Sequence, residues 1–71
     1  MKDHDYVNFS QDHEKDYHLG LVSKSRSKKN RAFLVEKTQR TAKRKLNKTR
    51  ITHGEFKPFV IADKPNLDDP Q

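Results

Sequence analysis

Apolar residues are spaced in different ways along this 71-residue chain, and each spacing predicts a different local structure. In residues 16–22 apolar and polar side chains alternate, which is the two-residue period of a short β-strand. Residues 56–62 hold a second apolar cluster, which we also expect to be extended, with Pro58 restricting it to a sheet edge or an irregular segment. Residues 31–48 contain no Gly or Pro and are rich in helix-favouring residues, which predicts a helix.

The predicted helix is amphipathic, with a narrow apolar stripe. At about 100° per residue, Ala32, Val35, Ala42 and Leu46 fall on one side of the helix together with Gln39. Lys and Arg occupy most of the remaining surface. We therefore expect the helix to pack through this stripe and to repel itself electrostatically when it is alone.

These elements predict a small α+β fold, or a mostly irregular one, in which one basic helix is packed by one or two short extended segments and the ends are mobile. The predicted division is an acidic, partly mobile segment (1–15), a single small basic domain (16–62) and a polar tail (63–71). Val, Ile, Leu and Phe account for only 15 of the 71 residues. The core is therefore thin, and cores of this size usually supply about 3–5 kcal/mol.

Charge is segregated along the chain. Residues 1–19 carry a net charge of −3, residues 20–50 carry +11 from twelve bases and one acid, and residues 51–71 carry −2. So much charge of one sign indicates an anionic partner, and Lys and Arg bind nucleic-acid phosphates by displacing condensed counterions. The acidic flanks can also fold back on the basic centre and screen it.

We therefore expect a small nucleic-acid-binding accessory protein that contacts phosphates through the loop 23–30 and the helix 31–48. RNA (tRNA, rRNA or a ribonucleoprotein) is preferred over DNA, because a basic helix beside a flexible basic loop is typical of segments that order on structured RNA. Zinc-finger spacing and a leucine heptad repeat are both missing. Tyr17 is the candidate for stacking on a base. The candidate phosphate ligands are Arg26, Lys28, Lys29, Arg31, Arg40, Lys43, Arg44, Lys45 and Lys48.

An alternative function is a protein-interaction module that inhibits or redirects a larger enzyme or complex. Its interface would be the apolar patch Phe56, Phe59, Val60 and Ile61, and the basic helix would steer the module towards an acidic protein surface.

Several classes of protein are not expected. The chain has no Cys, so disulfides and thiolate zinc sites are excluded. Its longest apolar runs have four residues, far below the roughly 20 of a membrane span, and its N-terminal stretch lacks the apolar centre of a secretory signal. We expect a cytoplasmic protein that is not an enzyme and has no cofactor, no specific metal site and no membrane partner. Several questions stay open. They are whether a weak divalent-ion site exists around His13 and His18, whether the acidic N-terminus is autoinhibitory, and whether the partner is DNA instead of RNA. The sequence preference and the oligomeric state are also open.

Overall fold

The computed structural model describes residues 2–70 and is built from helices. The backbone stays in the right-handed helical region at each junction between residues 28 and 46, so these residues form one continuous helix, called the central helix below. The elements are α1 (Asp12–Leu21), α2 (Lys28–Phe33), a π-helical turn (Leu34–Thr38), α3 (Gln39–Leu46), α4 (His53–Asp63) and a 3₁₀ turn (Lys64–Asn66).

The predicted α+β fold is wrong, because both segments expected to be extended are helical. Residues 16–22 fall largely in α1 and residues 56–62 fall in α4. Within residues 2–70, β pairing is limited to a single antiparallel bridge between Tyr6 and Thr52.

Helix α1 was mistaken for a strand because two of its inward-facing residues are polar. The buried positions at this end of the chain are Lys15, His18, Leu19 and Val22, whose spacing of three and four residues is that of one helical face. Leu21, which completes the apparent alternation, is 51% exposed.

Helix α4 forms although Pro58 lies inside it. A capping box fixes its start: the Thr52 hydroxyl accepts from the Glu55 amide, and the Glu55 carboxylate accepts from the Thr52 amide. The next two amides, of His53 and Gly54, donate to carbonyls of the N-terminal segment. These contacts satisfy helix-start donors that would otherwise lack partners.

The central helix begins three residues earlier than predicted. Ser27 is the N-cap, and its hydroxyl accepts from the Asn30 amide. The helix ends at Leu46, followed by Asn47 in the left-handed conformation with φ of 54°. The side chain of Asn30 is 2% exposed and lies inside the fold.

The π-helical turn sets the register between the two halves of the central helix. The buried residues Asn30, Leu34, Thr38 and Ala42 recur every four positions. In a regular α-helix that spacing drifts by about 40° at each step, because four residues overshoot one turn. A π turn joins residues five apart and therefore takes up one extra residue, which returns the later positions to the same face.

The extra residue also explains why the predicted stripe was partly wrong. Beyond the π turn, Ala42 is buried and Leu46 is half-buried, as expected. Ala32, before the turn, is exposed, and Val35, within it, is only half-buried, since Leu34 takes the inward position.

One core joins the helices to residues near both ends of the chain. The Val7 amide donates to the Ile51 carbonyl, and Leu67 in the predicted tail is only 4% exposed. Across residues 2–70 no helix combines the length and the apolar character needed to cross a membrane. The core residues are Leu19, Val22, Leu34, Ala42, Ile51, Phe56, Val60 and Leu67.

Candidate nucleic-acid interface

The first half of the central helix is held by acidic residues of α1. Arg31 makes a bidentate contact with Asp16: Nε donates to Oδ1 at 2.7 Å and Nη2 donates to Oδ2 at 3.1 Å. Asp12 lies 3.9 Å away on the same guanidinium. The hydrogen bonds to Asp16 raise the pKa of Arg31 above its usual value. This base is therefore engaged in the fold.

The C-terminal tail neutralises two further bases. Lys24 lies 2.5 Å from Asp69, and Lys29 lies 3.4 Å from Asp68. The same segment is anchored by the side chain of Asn30. Its Nδ2 donates to the backbone carbonyl of Asp68, and its Oδ1 accepts from the backbone amide of Asp68. The acidic tail thus contacts the loop 23–30 and the start of the helix through Lys24, Lys29 and Asn30.

A third acidic contact lies just beyond the end of the central helix. Lys48 Nζ is 2.5 Å from the Glu55 carboxylate at the start of α4. This hydrogen bond raises the pKa of Lys48 and lowers the pKa of Glu55, so both groups stay charged over a wide pH range.

The second half of the central helix has a different environment. Five bases lie within residues 37–45, and none of them has a carboxylate within 4 Å anywhere in residues 2–70. Lys43 is half-buried, with Nζ 5.7 Å from the ring centroid of Phe9, and the other four are exposed. We call this set the α3 basic face: Lys37, Arg40, Lys43, Arg44 and Lys45.

Three members of this face border one shallow depression. Lys37, Arg40 and Arg44 line a concavity of about 250 Å³, together with Thr41 and Glu36. Arg40 and Arg44 are four residues apart and therefore neighbours on the helix surface. Their charges can contact phosphates of the same nucleic-acid strand. Glu36 is the single acid at the edge of the depression.

The structure therefore divides seven of the nine predicted phosphate ligands into two groups. Lys29, Arg31 and Lys48 are paired with acids, while Arg40, Lys43, Arg44 and Lys45 remain together on α3. The prediction omitted Lys37, although it stands three residues before Arg40 and shares the same depression.

The two remaining candidates lie on the loop side of the molecule. Lys28 is exposed at the start of the central helix. The Arg26 guanidinium packs over Gly20 of α1, where an added Cβ would come within 2.8 Å of Nη2. The lack of a side chain at Gly20 leaves room for this close approach, and the Arg26 side chain contacts α1.

The aromatic residue chosen as a stacking candidate is engaged elsewhere. Tyr17 packs edge-on against His18 and His53, with ring centroids 5.3 and 5.9 Å apart. Tyr6 is a better candidate, because it is 52% exposed and lies beside the end of α3 with the Arg50 guanidinium 4.0 Å from its ring centroid. Its isolated position in an acidic stretch gave no sequence signal for this role.

The alternative apolar interface does not exist as a continuous surface. Phe56 and Val60 are 0% and 1% exposed in the core, and Phe59 is half-buried. Only Ile61 of the four is exposed, at 62%. The patch is divided in this way because α4 directs consecutive residues to different sides.

A buried histidine pair joins α1 to α4 and was not foreseen. His18 Nε2 lies 2.8 Å from His53 Nδ1, and His53 Nε2 lies 3.1 Å from a Glu14 carboxylate oxygen. Both rings are almost fully buried and stacked, with centroids 5.0 Å apart. Burial, reinforced by the neighbouring His53, lowers the pKa of His18 to about 4.

The two histidines considered for a weak metal site, His13 and His18, are not brought together by the fold. His13 is exposed whereas His18 is buried, and they lie on different sides of α1. In the part of the chain that the structure describes, no group of three His, Asp or Glu side chains is arranged to hold a metal ion.

Comparison of the chain with protein-family models, with curated proteins and with solved structures found no match. The assignment of function therefore depends on the charges, cavities and contacts of this chain alone.

Proposed function

We propose that this protein binds RNA as a small accessory factor, through the α3 basic face. The observation that carries the proposal is the uneven distribution of acidic partners. Three of the five bases in residues 24–31, namely Lys24, Lys29 and Arg31, are opposed by Asp12, Asp16, Asp68 and Asp69. The bases of residues 37–45 have no carboxylate within 4 Å in residues 2–70.

Paired bases contribute little to phosphate binding, because a phosphate must first replace the carboxylate. Bases without such partners can neutralise phosphates directly, which releases the counterions condensed on the nucleic acid and so favours binding. The acidic side chains thus concentrate the attractive potential on one half of the helix. The same arrangement limits how a polyanion can lie on the molecule.

The α3 basic face is formed before RNA arrives. Ala42 and Leu34 anchor the central helix in the core, and Asn47 ends it in the left-handed conformation that commonly terminates helices. Binding therefore does not require the helix to order, and the associated entropy cost is avoided.

Tyr6 extends the proposed surface beyond the end of α3. A half-exposed tyrosine whose ring already contacts Arg50 can stack on an unpaired base, and such stacking typically contributes about 1–3 kcal/mol. The basic residues themselves contact phosphates and carry no base information. We therefore propose sequence-tolerant binding to a single-stranded or looped region of RNA.

The proposal includes a cytoplasmic location and a binding role without catalysis or a cofactor. RNA is preferred over DNA on the grounds given by the sequence, namely an Arg/Lys-rich helix and the lack of DNA-binding signatures. An acidic protein surface is the competing anionic partner, and the test below includes it.

The experiment is a salt titration of binding to a labelled RNA hairpin, with duplex DNA and an acidic polypeptide of equal charge as comparisons. If the five bases each contact a phosphate, log K falls with log salt at a slope between about −3.5 and −4.5. Affinity then drops roughly 100- to 500-fold between 50 and 200 mM salt. Because the chain has no Trp, nucleic acid that co-purifies is also visible as a raised 260/280 nm absorbance ratio.

Failure to bind RNA at 50 mM salt, or binding that does not change with salt, contradicts the proposal. Tighter binding to the duplex DNA or to the acidic polypeptide than to the RNA assigns the α3 basic face to that partner instead.

A further inference from the structure

The buried histidine pair ends in a hydrogen-bond acceptor without a partner. Among the buried side-chain atoms of residues 2–70, His18 Nδ1 is the one nitrogen or oxygen that has no hydrogen bond. An unsatisfied buried polar atom destabilises the folded state, so its presence in a thin core requires an explanation.

The hydrogen-bond chain determines which form this nitrogen takes. The Glu14 carboxylate oxygen also accepts from the Asn8 amide, as an ionised carboxylate does, so His53 Nε2 carries the hydrogen that it shares with Glu14. His53 Nδ1 is then an acceptor and receives the hydrogen of His18 Nε2. A neutral His18 is left with a bare lone pair on Nδ1.

His18 also lines a small cleft between α1 and α4. The cleft has a volume of about 230 Å³, and its other walls are Leu21, Val22, Lys57, Val60 and Ile61. Leu21 and Ile61 are more than half exposed, although both are large aliphatic side chains. A mostly apolar cleft bordered by a buried histidine with an unpartnered acceptor has the general character of a ligand site.

The dimensions and chemistry of the cleft select a class of ligand. A dry cavity of about 150 Å³ is sufficient to hold benzene, so 230 Å³ suits a flat ligand of one or two rings. The aliphatic walls favour an uncharged ring system. The lone pair of His18 Nδ1 requires a single N–H or O–H donor on that ring.

We propose that the α1/α4 cleft binds a small neutral aromatic molecule of one or two rings, whose N–H or O–H group donates to His18 Nδ1. This site is independent of the α3 basic face. Nδ1 is closed off from water, so the ligand reaches it by displacing the rim, where Leu21, Lys57 and Ile61 can rotate outward. Glu14 and His53 hold the His18 ring in the accepting form.

Indole and 1-methylindole are a matched pair of probes, because they share one ring system and differ in the N–H donor. Indole fluorescence can be followed without background, since the protein has no Trp. We expect saturable binding of indole and at least tenfold weaker binding of 1-methylindole, because a site built to satisfy a buried acceptor discriminates against a ligand without the donor. Indole, but not 1-methylindole, should change the ¹⁵N chemical shift of His18 Nδ1.

Two variants keep the test decisive. Ile61→Lys places a charge at the rim of the cleft on a residue that is already 62% exposed, so the fold should survive and indole binding should fall at least tenfold. Lys45→Gln, on the α3 basic face, is the control and should leave indole binding unchanged. His18→Phe should remove the discrimination between the two probes if the variant folds.

The proposal is overturned if indole shows no saturable binding, or if both probes bind equally without a change at His18 Nδ1. Indole binding that is insensitive to Ile61→Lys would place the ligand elsewhere and would equally refute it.

Discussion

The two halves of the central helix are equally basic but lie in different surroundings. Half of the residues in α2 and half of those in α3 are Lys or Arg. In α2, Arg31 and Lys29 face carboxylates of α1 and of the tail, whereas the bases of α3 face none in residues 2–70. The comparison teaches that the density of positive charge along a sequence does not locate a binding surface. The surface is located by the acidic residues that the fold places against it.

The π-helical turn between the two halves decides which side of α3 is exposed. It adds one residue to the turn, so that Thr38 and Ala42 follow Leu34 into the core. The basic residues between these positions are consequently directed outward. Changing the number of residues in this turn is therefore the first test of the comparison.

The largest expected effect comes from altering that length by one residue in either direction. In a chain lacking Glu36, Leu34 is three and seven residues from Thr38 and Ala42, which is the spacing of one face of a regular α-helix. This deletion should preserve the fold. One alanine inserted between Glu36 and Lys37 instead rotates α3 by about 100° relative to α2.

The insertion should unfold the protein at 25 °C, because the whole core supplies only about 3–5 kcal/mol. Far-UV circular dichroism and thermal melts of the two chains measure the difference. A deletion that unfolds the protein as fully as the insertion does would show that the π turn is not a register correction.

The second-largest expected effect is a loss of stability in mild acid. Helix α1, which carries the acids opposing α2, contacts α4 through the buried His18, and protonation of His18 would weaken this contact. His18 faces His53 and Lys57 of α4, Glu14 of α1 and Asp3 of the N-terminal segment. Its pKa is lowered from 6.5 to about 4, chiefly by burial. The unfolded chain therefore takes up a proton between these pH values that the folded chain does not.

Stability should accordingly fall as the pH is lowered from 6.5 to 4, by at most about 3 kcal/mol, since one pKa unit corresponds to about 1.4 kcal/mol. Urea titrations at pH 7, 5 and 4 measure the change. A His13→Gln variant, altered at an exposed histidine, should show the same pH dependence as the unmodified chain. Equal stability at pH 7 and pH 4 would refute the assignment.

Among the polar residues in the first half of the central helix, Asn30 should lower the stability of the fold most when it is replaced. Its side chain donates to the Ser25 and Asp68 carbonyls and accepts from the Asp68 amide. Asn30→Ala leaves these partly buried backbone groups without partners, and we expect a loss of roughly 2–3 kcal/mol. Gln39→Ala, a half-buried amide in α3, is the control and should cost much less. Equal losses in thermal or urea unfolding would remove this distinction between the two halves.

The sequence predicted the central helix and its basic character because that segment is long and free of Gly and Pro. It did not predict α1 or α4, because their inward positions include polar residues such as Lys15, His18 and His53. Pro58 added a further misleading signal in α4. In such a segment, apolar periodicity alone underestimates the buried face.

The candidate site was predicted in part for a similar reason. The bases of α3 were recognised from local composition. Which bases are neutralised depends on partners such as Asp16 and Asp68, which are distant in sequence and reach the helix only through the tertiary fold. That information is not contained in the charge pattern of the basic segment itself.

The most direct test of the account compares two double neutralisations that remove the same charge from different places. Arg40→Gln with Arg44→Gln acts on the α3 basic face, and Lys29→Gln with Lys48→Gln acts on bases that already have carboxylate partners. Both lower the formal net charge from +6 to +4. Binding of each variant to one labelled RNA is measured across a range of salt concentrations.

The account predicts that the first variant binds more weakly and that its salt dependence is reduced by about 1.4–1.8 in log K against log salt, which corresponds to two lost phosphate contacts. The second variant should keep the slope of the unmodified protein. Equal losses in the two variants would show that RNA responds to net charge alone, and would contradict the claim that the fold confines binding to the α3 basic face.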